Sequence, residues 1–184
     1  MWVEAIIIGI IVGLIRGGRI SYLSNLNLKQ LNIFVLGVVI QLLPFFFGKI
    51  GFFQTWACQI YFVGYLLVFV FLILNVAKKG MKLLIAGTAL NSLALLLNDL
   101  KMPVYVNSTS SKVARMNLSI KTGDLVNYVP VEELNGFSDY LGKIIHMPDF
   151  YLGVPVISVA DIIITVGIII LIQDAMVSKK GFFV

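Results

Sequence analysis

Uncharged, apolar stretches are the dominant pattern along this chain. A bilayer core about 30 Å thick is crossed by roughly 20 helical residues, and the apolar stretches cover residues 2–15, 34–48, 53–77, 83–98 and 158–176. The first stretch is only about 20 Å long as a helix, so it needs local bilayer thinning or help from its flanks. The pattern predicts an all-α integral membrane protein, a single domain over residues 1–184 with five transmembrane helices.

The composition agrees with a membrane protein. Of the 184 residues, 59% are hydrophobic and 12% are charged, and the mean hydropathy is +0.98. A soluble domain is usually about 25% charged, so a soluble domain, a disordered region and a nucleic-acid-binding module are excluded. Cys58 is the single cysteine, which excludes a disulfide-stapled secreted domain.

The basic residues predict the orientation. They follow the first stretch (Arg16, Arg19, Lys29), the third stretch (Lys78, Lys79, Lys82) and the fifth stretch (Lys179, Lys180). Because cytoplasmic loops carry an excess of Lys and Arg, we expect the N-terminus outside, the C-terminus in the cytoplasm and residues 99–157 outside. We expect the first helix to be retained, since Glu4 stands where a signal peptide is basic.

The long segment 99–157 contains a patterned stretch. Leu134, Phe137, Leu141 and Ile145 recur at spacings of three, four and four residues, which is typical of one face of a helix. We therefore expect a surface amphipathic helix over residues 131–146. Its apolar face lies either on lipid or on the other helices.

Small residues repeat along the first helix. Ala5, Gly9, Gly13 and Gly17 are four residues apart, so one face is nearly bare backbone that lets a neighbouring helix approach closely. We interpret Gly9, Gly13 and Gly17 as helix-packing positions. The partner helix belongs to this chain, to another membrane protein or to a second copy.

Polar side chains form a stripe on the fourth helix. Thr88, Asn91 and Asn98 lie within about 80° of one another at 100° per residue. They form either hydrogen bonds between helices or a polar groove that opens outward. In the second interpretation Asn98, Asp99 and Lys101 form the mouth of the groove.

Asp161 is the most informative acidic residue. It follows Ser158 by three residues, so it is expected only about 5 Å along the last helix, and its burial is expected to be shallow. Ser-x-x-Asp is typical of a capping box, in which serine and carboxylate each bond a backbone amide of the other. Asp161 is therefore a helix cap, a functional carboxylate, or both.

Three blocks together resemble an uncharacterised family of small bacterial multi-pass membrane proteins, a domain of unknown function. The blocks are Arg16-Gly17-Gly18-Arg19, Asn98-Asp99-Leu100-Lys101-Met102-Pro103-Val104 and Ser158-Val159-Ala160-Asp161. The resemblance covers nearly the whole chain and implies a bacterial cytoplasmic (inner) membrane location without an assigned activity. Family members carry Gly-Gly at 99–100, Asp at 143 and Gly at 160, where this chain has Asp99-Leu100, Lys143 and Ala160.

The last helix alone is also similar to lipoprotein signal peptidases. Ser158-Val159-Ala160-Asp161 resembles the Asn-x-Ala-Asp that carries one of their two catalytic aspartates, with Ser158 in place of asparagine. Such a mechanism needs two carboxylates, one charged and one protonated. An intramembrane aspartyl hydrolase is therefore the alternative function, with Asp161 and either Asp99 or Asp149 as the catalytic candidates.

The favoured interpretation is a non-catalytic membrane protein that presents an outward-facing polar groove and a surface helix to a lipid head group or a membrane-protein partner. The expected groove residues are Asn91, Asn98, Asp99, Lys101, Ser158 and Asp161. We expect no cofactor and no metal, because His146 is the only histidine. A small transporter is a further alternative, although five spans are an odd number for paired repeats.

Overall fold

The computed structural model describes residues 2–47, 50–134, 136–151 and 153–177. Its elements in chain order are α1 (Trp2–Ile15), a 3₁₀ turn (Ile20–Asn25), α2 (Leu31–Phe47), α3 (Gly51–Leu74), α4 (Met81–Leu97), β1 (Met102–Tyr105), α5 (Ser111–Lys121), β2 (Tyr128–Val131), α6 (Phe137–Leu141), β3 (Ile145–His146), β4 (Val156–Ile157) and α7 (Val159–Val177). A helix occupies each of the five apolar stretches. The basic residues Lys179 and Lys180 of the predicted cytoplasmic tail lie outside the described residues.

Two helices, α3 and α7, are long and apolar enough to cross a membrane, and α1, α2 and α4 are shorter apolar helices. Their outward faces carry large apolar side chains, among them Ile15, Phe45 and Phe46, which are 78%, 74% and 69% exposed. Many exposed apolar side chains are typical of surfaces that contact a membrane or another protein.

The five apolar helices pack in the order α1, α7, α4, α3, α2, each against the next. Glycines permit two of the contacts. A Cβ at Gly64 would lie 2.7 Å from the Gly37 carbonyl oxygen, and a Cβ at Gly87 would lie 2.8 Å from that of Ala160. The order places α1 and α2 at opposite ends of the row.

The small-residue face of α1 packs on α7 of the same chain. A Cβ at Gly9 would lie 3.1 Å from Ile172 Cβ, and one at Gly13 would lie 2.6 Å from Met176 Sδ. Gly17 does not extend this face as predicted. It follows the helix in a turn with φ of 77°, and a Cβ there would meet nothing within 4 Å.

Residues 102–157, which we call the cap, form a small mixed structure rather than a purely helical one. Strands β1 and β2 pair in parallel, and β3 pairs with β4 in antiparallel fashion. Helix α5 covers them, because Val113, Met116 and Ile120 share one helical face and pack with Val104 and Val156. The all-α prediction therefore missed four short strands.

The predicted amphipathic helix over residues 131–146 is wrong. Among the described residues of this range, only those of α6 are helical; β2 ends at Val131 and β3 begins at Ile145. Gly142 lies against Pro103, where a Cβ would be 2.4 Å from the Pro103 carbonyl oxygen, so the chain turns into contact with β1 there. Strand pairing in the cap overrides the local helical pattern.

Helix α7 begins deep within the bundle, which corrects the expectation that Asp161 is shallow. Ala160 lies beside Gly87, and Gly87 is about 15 Å along α4 from its last residue, Leu97. Because α7 begins there, the cap packs against α3 and α4 at the end of the bundle beyond the start of α7: Met102 of the cap is buried with Tyr65 and Leu95. We call this end of the bundle the cap end.

Candidate functional site

Five side chains meet where α3, α4, α7 and the cap converge. This polar cluster consists of Tyr65, Asn91, Lys143, Ser158 and Asp161. Measured over the whole residue, backbone included, Tyr65, Asn91, Ser158 and Asp161 are 8%, 2%, 0% and 9% exposed. Buried polar atoms are costly unless they are hydrogen-bonded, and the contacts described next satisfy them.

The start of α7 forms the capping box that the sequence predicts. The Asp161 amide donates to Ser158 Oγ at 3.0 Å, and the Ser158 amide donates to Asp161 Oδ2 at 3.1 Å. This reciprocal pair satisfies two amides that the first helical turn leaves without partners. It also holds the carboxylate in one orientation toward α4.

Asn91 joins three helices through its side-chain amide. Its Nδ2 donates to Asp161 Oδ1 and to the Tyr65 hydroxyl, both at 3.2 Å, and its Oδ1 accepts from Ser158 Oγ at 3.2 Å. At Asn91, therefore, the polar stripe of α4 forms hydrogen bonds between helices. The groups linked by Asn91 belong to α3 and to the first turn of α7.

Lys143 supplies the counter-charge of Asp161. Its Nζ lies 2.7 Å from Asp161 Oδ2, and the two side chains are only 13% and 12% exposed. The backbone of Lys143 is held against β1, because its amide donates to the Pro103 carbonyl and its carbonyl accepts from the Tyr105 amide. The backbone contacts with β1 thus position the Lys143 side chain beside Asp161 of α7.

The predicted groove residues divide into two groups. Asn91, Ser158 and Asp161 come together, whereas Asn98, Asp99 and Lys101 lie in the turn that follows α4. The Asn98 side chain donates to the Ala94 carbonyl of its own helix at 2.8 Å. Asp99 and Lys101 are exposed, and Asp99 has a φ of 51°. Among the described residues, none of these three hydrogen-bonds to the polar cluster.

The carboxylate pair required by a hydrolase is not seen around Asp161. Within the described ranges, the partners of its carboxylate are the Lys143 ammonium, the Asn91 amide and the Ser158 amide. Asp149 instead accepts a hydrogen bond from the Ser110 hydroxyl. An aspartyl mechanism needs two carboxylates that share a proton, whereas the charged side chain beside the Asp161 carboxylate is the Lys143 ammonium.

The sequence interpretation missed Lys143 and Tyr65 as members of this site. A buried acid needs a cation, but the segment 99–157 offers Lys101, Lys112, Arg115, Lys121 and Lys143, and no local pattern distinguishes among them. Tyr65 is one of several aromatic residues on α3. Its position opposite Asn91 depends on how the helices pack.

A second contact joins α1 to the cap. The Tyr151 hydroxyl donates to Glu4 Oε1 at 2.8 Å. Burial raises the pKa of Tyr151, and the hydrogen bond to Glu4 raises it further, so the hydroxyl stays protonated as the donor. The contact fixes the start of α1 beside the cap.

These features define an apolar helical bundle, with two helices long and apolar enough to cross a membrane, in which the cap places Lys143 beside the buried Asp161. Residues 25–173 match the model of a family of unknown function, DUF5317, and the chain belongs to that family. This confirms the resemblance to an uncharacterised family. No curated protein and no solved structure shows a significant match.

Proposed function

We propose that this chain is a five-span, non-catalytic protein of the bacterial cytoplasmic membrane that binds a phospholipid head group at the polar cluster. Its N-terminus and the cap are outside the cytoplasm and its C-terminus is inside. The observation that carries the proposal is the Lys143–Asp161 ion pair. It lies beside Asn91, within the bundle rather than at the last turn of α4, yet 13% of the Lys143 side chain and 12% of the Asp161 side chain are exposed.

The distribution of charge supports this orientation. Basic residues gather at the end of the bundle opposite the cap, where Arg16 donates to Gln173 and Lys79 pairs with Asp174 at 2.7 Å. Lys29 lies at the same end, since its backbone amide and carbonyl both hydrogen-bond to the Asn75 side chain. Clustered Lys and Arg near helix ends are typical of the cytoplasmic side.

Cysteine labelling in cells tests the orientation. In a Cys58→Ser background, Arg115→Cys on exposed α5 should react with a membrane-impermeant maleimide added to intact spheroplasts. Lys29→Cys should react only after the membrane is permeabilised, because it lies at the opposite end of the bundle. Labelling of Lys29→Cys in intact spheroplasts, or protection of Arg115→Cys, would contradict the proposed topology.

The chemistry of the ion pair supports a phosphate-bearing ligand. A lysine ammonium has three N–H donors, and the hydrogen bond to Asp161 uses one of them. Ionisable side chains within membrane spans mark functional sites by default. A lipid phosphate that accepts from the remaining donors forms a charge-assisted hydrogen bond, which contributes about 1.5–3 kcal/mol.

Lipid binding by a matched pair of variants tests the head-group site. The double variant Lys143→Met with Asp161→Asn removes both charges together, which avoids an unpaired buried charge. We expect its affinity for phosphatidylglycerol in detergent micelles, measured by native mass spectrometry, to fall by about tenfold or more. Lys101→Met, which removes an exposed lysine of the same segment, should leave the affinity unchanged. A folded double variant with full affinity would refute the head-group site.

A further inference from the structure

A cavity of about 240 Å³ lies among the apolar helices beside the polar cluster. All five apolar helices contribute to its wall, including Trp2 and Ile6 from α1 and Leu31 from α2. Pockets that hold small ligands are mostly apolar and are lined by a few well-placed polar groups. This cavity has that character.

The polarity of the cavity changes along its length. Its polar lining residues include Tyr65 and Thr88, and Tyr65 also accepts the hydrogen bond from Asn91 of the polar cluster. Met81, in the first turn of α4, lines the cavity about 10 Å further from the cap than Thr88. One end of the cavity therefore adjoins hydrogen-bonding groups, while the rest is hydrocarbon.

Water is a poor occupant of the apolar part. A buried water needs two to four polar partners, and the wall between Thr88 and Met81 is built from side chains such as Leu84, Ile164 and Ile168. The cavity has one polar end and an otherwise apolar wall. This polarity matches that of a lipid, in which polar ester groups are followed by a hydrocarbon chain.

The cavity is accessible from the side of the bundle. Helices α1 and α2 stand at the two ends of the helix row, and both line the cavity. Trp2, Ile6 and Leu31 are 45%, 44% and 50% exposed, so the wall continues onto the outer surface. In the proposed topology this surface faces the hydrocarbon of the bilayer, where acyl chains are the abundant solvent.

We infer that the cavity holds one acyl chain of a membrane phospholipid, which enters between α1 and α2 with its ester end toward Tyr65 and Thr88. The inference rests on the proposed function and extends it from the head group to the chain. The proposed orientation of the bound lipid is also that of a lipid in the outer leaflet, because its head group lies toward the cap and its chain points to the membrane interior.

Filling the cavity tests the inference. Ile168→Trp places a bulky ring into the wall, whereas Ile162→Trp makes the same change on the same helix at a site that is 40% exposed to the surroundings. We expect Ile168→Trp to weaken binding of phosphatidylglycerol by about tenfold, the loss expected when two or more methylene groups no longer fit. Ile162→Trp should bind as the unaltered chain does.

The unaltered protein provides a second test that needs no substitution. Lysophosphatidylglycerol has one chain and should bind within about threefold of the two-chain lipid, because a single chain enters the cavity. Glycerol 3-phosphate, which has no chain, should not compete with either lipid. Competition by glycerol 3-phosphate, or a strong preference for two chains, would overturn the inference even if Ile168→Trp failed to fold.

The two proposals fail in different ways. If the double variant at Lys143 and Asp161 loses affinity but Ile168→Trp does not, the head-group site stands and the acyl-chain site is wrong. If Ile168→Trp alone loses affinity, the cavity binds a chain and the polar cluster does not contact the head group. If neither loses affinity, both proposals are wrong.

Discussion

Replacing Lys143 with methionine should lower the free energy of unfolding by about 3–5 kcal/mol. The substitution leaves the buried carboxylate of Asp161 without the cation that lies 2.7 Å away, and removing one partner of a buried ion pair carries this cost. Asp161→Ala should cost a similar amount, because it strands the ammonium and also removes the capping box. Denaturant titration of the purified protein in detergent measures both changes.

The double variant provides the control for this prediction. Removing both charges eliminates the unpaired ion, so Lys143→Met with Asp161→Asn should recover most of the stability lost by Lys143→Met alone. The expected coupling energy between the two positions is thus large. If the losses of Lys143→Met and Asp161→Asn, each measured alone, simply add in the double variant, the ion pair does not stabilise the fold in the way we describe.

Replacing Gly87 with leucine should disrupt the packing of α4 against α7 and lower the stability of the protein. A Cβ at this position would lie 2.6 Å from Ile164 Cγ1 and 2.8 Å from the Ala160 carbonyl oxygen. Helices α4 and α7 would have to separate, and overpacking of this kind costs about 1–3 kcal/mol or more. The same separation draws Asn91 away from Asp161, so lipid binding should fall together with stability.

The neighbouring residue offers a matched control. Ala86 is exposed on the same helix, so Ala86→Leu adds a side chain of the same size without entering the α4–α7 contact. Its melting temperature in detergent should stay within a few degrees of the parent value. Equal effects at Ala86 and Gly87 would show that this packing contact does not limit stability.

The positions of the apolar helices could be read from sequence because each depends on a local property. Runs such as 53–77 and 158–176 contain enough apolar residues to predict a helix without knowledge of its neighbours, and α3 and α7 occupy these runs. The capping box at Ser158 and Asp161 was predictable for the same reason. Its two residues are three apart, and their hydrogen bonds are confined to one helical turn.

The cap could not be predicted in this way. Strands β1 and β2 are four residues each, lie 22 residues apart along the chain and pair with each other. Such pairing is non-local, so a short apolar run does not reveal its partner. In residues 131–146 the local helical pattern was misleading because contacts with β1 and β4 compete with it.

The sequence by itself determined the number and places of the apolar helices, the capping box of α7 and the presence of an acidic residue in the first turn of that helix. Only the tertiary structure decided that this partner is Lys143, that Tyr65 and Asn91 complete the cluster, and that the cluster lies deep rather than at the bundle surface. The physical reason is the separation, along the chain, of the residues that interact. Helix formation and capping depend on residues within a turn of one another, whereas the contact between Lys143 and Asp161 depends on strand pairing in the cap and on where α7 begins along α4.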